Sequence, residues 1–302
     1  MKPKHSSLFL ASCIAPIFCA LSAPLAQAAT YYWDNDGTTA GFGTATGTWA
    51  APTTGSASQG WSTDGTGGTL PGSVTTATTD ITNFGNGATG LASGTITVSG
   101  AVSSGNMTFA SGSGAITLSG GTSITLGGGA TITVNNAAAT INTNILGSGG
   151  LIKAGTGTLT HAYTFGSGYT GATTVNDGTM VAVFSGAAQG NASSGWGVNN
   201  TSVLRFDVSA MNGGSSNLAL SGVVAIASGA KVELYTDSVI HNTSGNTLIF
   251  SGASTGFSGS GALNKEGTGF ITINNGNALA NFTGTMNINA GTLAFQGGTT
   301  TS

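Results

Sequence analysis

The chain has 302 residues, of which 5% are charged, and it contains 52 Gly and 5 Pro. An ordinary soluble domain is about 25% charged, so a helical or α/β enzyme of the usual kind is excluded. Six Lys and Arg against nine Asp and Glu give a formal charge of -3, which leaves no basic footprint for a phosphate backbone and excludes nucleic acid as a partner. Abundant Gly and Thr penalise helix interiors and suit turns and strands, so the expectation is an all-β chain.

Residues 1–28 read as a secretory signal peptide. Lys2 and Lys4 precede an apolar run over 8–25, and Ala26-Gln27-Ala28 has the small-x-small form of a cleavage site. Pro16 and Pro24 interrupt the run, against a spanning helix of about 20 apolar residues. Leu10-Ala11-Ser12-Cys13 has residue types suited to lipoprotein processing, but few apolar residues precede it, and cleavage after Ala28 is the reading taken. Both cysteines, Cys13 and Cys19, fall inside this segment, so the exported chain has no disulfide or thiolate metal site. Its charge becomes four basic minus nine acidic, or -5.

Residues 29–90 form an aromatic, Gly-rich segment with Tyr31, Tyr32, Trp33, Phe42, Trp49 and Trp61. It is expected to act as a cap over the first open edge of a stack of strands. Trp33, Trp49 and Trp61 are also candidates for stacking against a sugar. Asp34-Asn35-Asp36-Gly37 has the opening of a calcium loop, but Thr38 and Thr39 follow where further acidic ligands belong, and a turn is the reading taken.

From 91 to 302 short strands alternate apolar and polar residues, as in Thr95-Ile96-Thr97-Val98 and Thr131-Ile132-Thr133-Val134. Gly-rich breaks such as Gly127-Gly128-Gly129 separate them and leave no room for helices. Glycine triplets of the Gly-x-Gly-x-x-Gly form at Gly85, Gly87, Gly90 and at Gly166, Gly168, Gly171 open no helix and read as turns. A long segment occurs twice. Leu151-Ile152-Lys153-Ala154-Gly155-Thr156-Gly157 leads through Tyr169-Thr170-Gly171 to Gly178-Thr179-Met180, and Leu263-Asn264-Lys265-Glu266-Gly267-Thr268-Gly269 leads through Phe282-Thr283-Gly284 to Gly291-Thr292-Leu293. Three short strands and three corners per unit, at about 22 residues, predict the rungs of a right-handed parallel β-helix with repeat units at about 147–180 and 259–293. Buried Leu, Ile and Val would stack inside, and uncharged Thr and Asn outside.

At these residues the chain resembles the autotransporter-associated β-strand repeat family, also called passenger-associated transport repeats. Lys153, Gly155, Gly157, Leu159, Tyr169, Gly171, Val175 and Gly178 match its pattern, and Lys265, Gly267, Gly269, Ile271, Phe282, Gly284, Ile288 and Gly291 match it again. Tyr31-Tyr32-Trp33-Asp34 resembles the start of such proteins. The resemblance implies a β-helical passenger displayed at the cell surface by type V secretion, with an outer-membrane barrel as translocator. The closing stretch Phe295-Gln296-Gly297-Gly298 supplies no barrel strand, so the expectation is the N-terminal part of a longer protein.

The sequence therefore points to an exported structural passenger at the cell surface, outer membrane or outside the cell. It presents a rod for adhesion to a surface glycan or to a host or matrix protein, with no catalytic, metal or cofactor-binding residue and no membrane-spanning segment in the mature chain. A glycan-binding or glycan-cleaving β-helix is the alternative. It would gather the scarce acids with Arg205 or a Lys in one cleft, where a scatter of charges suits a plain rod. Arg205 with Asp207, and Lys231 with Glu233, are read as surface pairs two residues apart on strands, and His161 and His241 as loop residues. An ice-binding solenoid is weighed on the Thr pairs at 95 and 97, 131 and 133, and 156 and 158.

Overall fold

The computed structural model describes residues 28–296, apart from 56–58, 164–167, 186–188, 191–193, 212–216, 221, 238–246 and 251–254. The signal segment up to residue 27, both cysteines, His241 and residues 297–302 lie outside the described residues. The described chain is all-β, without a helix, and its strands coil as a parallel β-solenoid. No helix in it is long and apolar enough to cross a membrane.

Strands recur in threes. Met107–Phe109, Ile116–Gly120 and Ser123–Leu126 make one coil, and Ala130–Val134, Ala138–Ile141 and Ile145–Gly147 stack on them in the next, each paired in parallel with its counterpart. Nine such triplets run from Ile81–Phe84 to Thr292–Gln296 among the described residues. They build a first sheet of eleven strands, a second of ten, and a third side divided into sheets of four and five. Coil length varies more than a uniform 22: Ile132 lies beside Lys153, 21 residues on, whereas Ile226 lies beside Gly259, 33 on. The longer coils carry loops that fall partly outside the described residues.

The stack begins earlier than a boundary at residue 90 allows. Thr30–Asp34 pairs in parallel with Ile81–Phe84, and Thr48–Trp49 with Gly94–Val98, so the segment 29–90 already contributes to both large sheets. Its capping element is Gly60–Ser62, which lies antiparallel on Thr30–Asp34 and ends the first sheet. The first backbone edge of that sheet is thereby paired, which blunts edge-to-edge association.

Alternation supplies the core. One inner ladder climbs the second sheet through Leu118, Ile141, His161, Ala182, Phe206, Leu234 and Lys265, and every one of these side chains is buried. Each large apolar member contributes about 1.5–3 kcal/mol by leaving water. The opposite face of the same strands carries the outer ladder Thr95, Thr117, Thr140 and Thr160. Asn side chains also bond from coil to coil, Asn199 Nδ2 to Asn176 Oδ1 at 2.9 Å and Asn287 Nδ2 to Asn264 Oδ1 at 2.9 Å. Amides stack in this way because each is donor and acceptor at once.

Two lysines break the apolar pattern. Lys153 and Lys265 are fully buried, and period two places Lys153 on the same inward face as Leu151. Its ammonium donates to the carbonyls of Ala154 at 2.9 Å and Gly155 at 2.6 Å, and across to Asp177 in the next coil at 3.0 Å. Lys265 does the same with Glu266 at 2.6 Å, Gly267 at 2.8 Å and Ala290 at 3.4 Å. Each staple thus ties its own Gly-Thr-Gly corner to the corner stacked above it. The closing glycines complete the joint: Gly178 adopts φ +62°, and a Cβ there would lie 2.5 Å from the carbonyl oxygens of both Gly155 and Gly157. Only Gly tolerates both that conformation and that approach.

The two copies of the repeat are not equivalent in the solenoid. Leu151–Ala154 lies in the first sheet, and Ala262–Glu266, its counterpart in sequence, lies in the second. The stapled corner therefore joins first to second sheet in one copy and second sheet to third side in the other. The repeated sequence encodes a corner rather than a fixed position in the coil.

Replacing Lys153 by Met keeps the length of the side chain and leaves three corner carbonyls without their donor. The expected loss is about 3 kcal/mol of unfolding free energy, read from the shift in urea midpoint, with far-ultraviolet circular dichroism unchanged before the transition.

Candidate functional site

Trp33, Trp49 and Trp61 do not form a sugar platform. Their exposures are 0%, 0% and 1%, so no ring face is open to a ligand. Trp61 sits between the other two, with centroids 5.0 Å from Trp33 and 5.2 Å from Trp49 in edge-to-face contact, and the cluster continues through Phe84 to Phe109. Trp33 Nε1 donates to the Thr46 carbonyl at 3.0 Å and Trp49 Nε1 to Thr76 Oγ1 at 3.2 Å. The aromatic segment is the first layer of the core under the antiparallel cap. Alternation in so short and Gly-broken a stretch does not reveal which way a ring points.

Charge instead gathers on the outer face of the second sheet. The ladder that begins with Thr95 passes through Val181 to Arg205, Glu233, Asn264 and Asn287. A parallel row carries Asp207, Tyr235 and Glu266, and a third carries Val203, Lys231, Ala262 and Thr285. Arg205 and Asp207 do share a face, as do Lys231 and Glu233, but the stronger tie runs between coils. Arg205 reaches Glu233 Oε2 from Nη2 at 2.6 Å and from Nε at 2.7 Å, while Lys231 Nζ holds Oε1 at 2.6 Å. The Arg205 guanidinium also lies 4.7 Å above the Tyr235 ring, a cation–π contact, and the Tyr235 hydroxyl donates to Asp237.

Both acids of this cluster are held ionised by their partners. Burial works against ionisation of Glu233, but the hydrogen bonds and charges of Lys231 and Arg205 outweigh it and hold the carboxyl below its usual range. The Tyr235 hydroxyl, followed by the Thr268 amide, likewise holds Asp237 low. Both are bases already committed to partners, and neither is a general acid at neutral pH. Beside Lys231 an open groove of about 470 Å³ follows the row Val203, Lys231, Ala262, Thr285, with Thr201 and Ser260 on its walls. The scarce charges therefore gather as the alternative reading requires, but on an open face rather than in a cleft.

The paired threonines do not share a face: Thr95 and Thr97 lie in the second sheet, Thr131 and Thr133 in the first, and Thr156 in a corner. Among the described residues no group of three or more His, Asp or Glu is placed to hold a metal ion.

Two further titratable groups are buried. His161 is not a loop residue: it lies within Thr158–Tyr163, wholly inside, with Nδ1 3.0 Å from the Ile141 carbonyl. A carbonyl only accepts, so Nδ1 carries the proton. Burial pushes the imidazole down to about 4. At the other end, burial pushes the Asp34 carboxyl up to about 7, with Asp36 beside it adding to the rise. Parity in the run Leu159-Thr160-His161 was the signal that places His161 inside, as it is for Lys153.

No protein-family model matches the chain, and no curated protein or solved structure matches it either.

The His161 value sits below that of the unfolded chain, so between pH 6.5 and about 4 the unfolded state alone takes up this proton. Its contribution to stability is complete above 6.5 and falls by roughly 3 kcal/mol on acidification. Asp34 titrates in the opposite sense over an overlapping range, so the readout is the difference between wild type and His161→Leu. Chemical denaturation at pH 7 and pH 4.5 is expected to show a steeper acid loss in the wild type.

Proposed function

We propose that the protein is an exported structural passenger of the autotransporter-associated repeat kind, displayed at the cell surface. Its solenoid serves as a rod, and the charged outer face between Val203 and Asn289 is its contact surface. The observation that carries this reading is the division of labour across the second sheet. The inward side is a buried stack, apolar apart from His161 and Lys265, while Arg205, Lys231, Asp207, Glu233 and Glu266 share the outward side within three coils. In the earlier coils of that sheet the outer ladder is Thr. A flat face with paired charges and an exposed groove suits adhesion to a glycan or matrix protein through many weak contacts.

A glycan is favoured over a protein partner by the groove. Its walls are hydroxyls and small residues from successive coils, about 4.8 Å apart along the axis, which suits an extended chain of repeating units lying parallel to the rod. Lys231 and the hydroxyls of Thr201, Ser260 and Thr285 on the groove are the groups that would meet this ligand, while Glu233 is held by Arg205 and Lys231 and does not line it.

Two measurements test the reading. A tagged full chain expressed in a cell with an outer membrane should be exported and accessible to protease added to intact cells; retention in the cytoplasm overturns display. On immobilised polysaccharides, Ala262→Tyr, which fills the groove from the outer row, should reduce binding at least tenfold with the melting temperature unchanged. Equal binding by wild type and variant removes the groove from the contact surface.

A further inference from the structure

We propose that Asp34 and Asp36 bind a divalent cation, Ca²⁺, in the turn that opens the first coil. The residues between the signal segment and Lys153 include four acids, Asp34, Asp36, Asp64 and Asp80, and not one Lys or Arg. Two of the four are satisfied by the chain itself. Asp64 accepts from the Thr66 amide at 2.8 Å, the Thr66 hydroxyl at 2.7 Å and the Gly68 amide at 3.0 Å. Asp80 accepts from the amides of Ala29 at 3.0 Å and Ala77 at 2.7 Å, one on each oxygen.

The other pair is different. Asp34 is 0% exposed; its Oδ1 accepts from the Asp36 amide at 3.0 Å, but Oδ2 is buried with no hydrogen-bond partner, and so is Oδ1 of Asp36. The two carboxyls lie within hydrogen-bonding reach of each other. Facing carboxylate oxygens without a donor repel, and an orphaned buried acceptor forgoes its solvation. Something positive belongs between them, and residues 28–152 contain no Lys, Arg or His to supply it. Ca²⁺ accepts irregular oxygen cages of six to eight ligands. Thr38, Thr39 and Ala40, which follow the pair, are exposed, so further oxygen ligands would have to enter from that side of the turn. The loop holding Asp36 is itself fixed in shape, since the Asn35 amide donates to the Phe42 carbonyl at 3.3 Å and the Thr44 amide to Asn35 Oδ1 at 3.0 Å. A cation there would close the turn directly against Trp33 and the cap.

The test uses the full chain stripped of metal, melted by circular dichroism in EDTA and in CaCl2 at matched ionic strength. With Ca²⁺ at about a hundredfold over its dissociation constant, the melting temperature should rise by about 5 °C. Asp36→Asn should abolish that rise and Asp64→Asn should retain it. Terbium supplies a second readout that does not depend on folding of a variant: Tb³⁺ bound at this pair should show emission sensitised by Trp33, and Ca²⁺ should displace it. No calcium-dependent rise in the wild type, an equal rise in Asp36→Asn, or no sensitised terbium emission overturns the proposal. A wild type insensitive to Ca²⁺ beside a more stable Asp36→Asn would assign a shared proton to the pair instead.

Discussion

A buried ammonium surrounded by three backbone carbonyls is the interaction that fixes the two repeated corners of this solenoid. A parallel coil must turn a corner three times per circuit, and each corner leaves carbonyls that no strand partner reaches. Lys153 and Lys265 meet that need from inside, two bonds to their own corner and one to the next coil. The neutral amine has two N–H donors and the ammonium three, so the geometry selects the charged form. Burial opposes it, pushing Lys153 down to about 8. The staple is thus a strong tie held against a desolvation cost, and its position is fixed by Gly residues that let the carbonyls come close.

Much of the architecture was legible because a solenoid repeats its rules. Period-two alternation gave the strands and their inner faces, and the Gly-x-Gly breaks gave the corners. The repeat at Lys153 and Lys265 marked coils over a core. The same parity places Lys153 and His161 inside, but the habit of assigning polar residues to the surface hides it. The surface cluster was half legible: Arg205 with Asp207 and Lys231 with Glu233 were visible as pairs along strands. The bond from Arg205 to Glu233 depends on a register offset of 28 residues, which an irregular coil length conceals. Trp33, Trp49 and Trp61 failed as a ligand platform because a cap with few residues fills its interior with the largest side chains it has.

Low charge is a consequence of stacking. Residues at one register position recur every 4.8 Å or so along the outside, and like charges at that spacing repel, whereas Thr and Asn do not. Where charge does enter, from Arg205 onward, opposite signs alternate between and along coils, so that Glu233 is bracketed by Arg205 and Lys231. The first hundred or so residues of the stack have no cation of their own, and there the acids are held by backbone amides or, at Asp34 and Asp36, lie beside one another.

The displacement of the second repeat copy by one face constrains how such a chain can change length. Unequal crossing-over between the two copies would delete 112 residues, the separation of Lys153 and Lys265. The strand that precedes the crossover belongs to the first sheet, and the one that follows belongs to the third side. The shortened product would have to advance every later strand by a third of a turn, and it would lose Arg205, Asp207, Lys231 and Glu233 with the deleted coils. Gene-level contraction would therefore erase the charged face, whereas duplication would add a second copy of it turned to another flank of the rod.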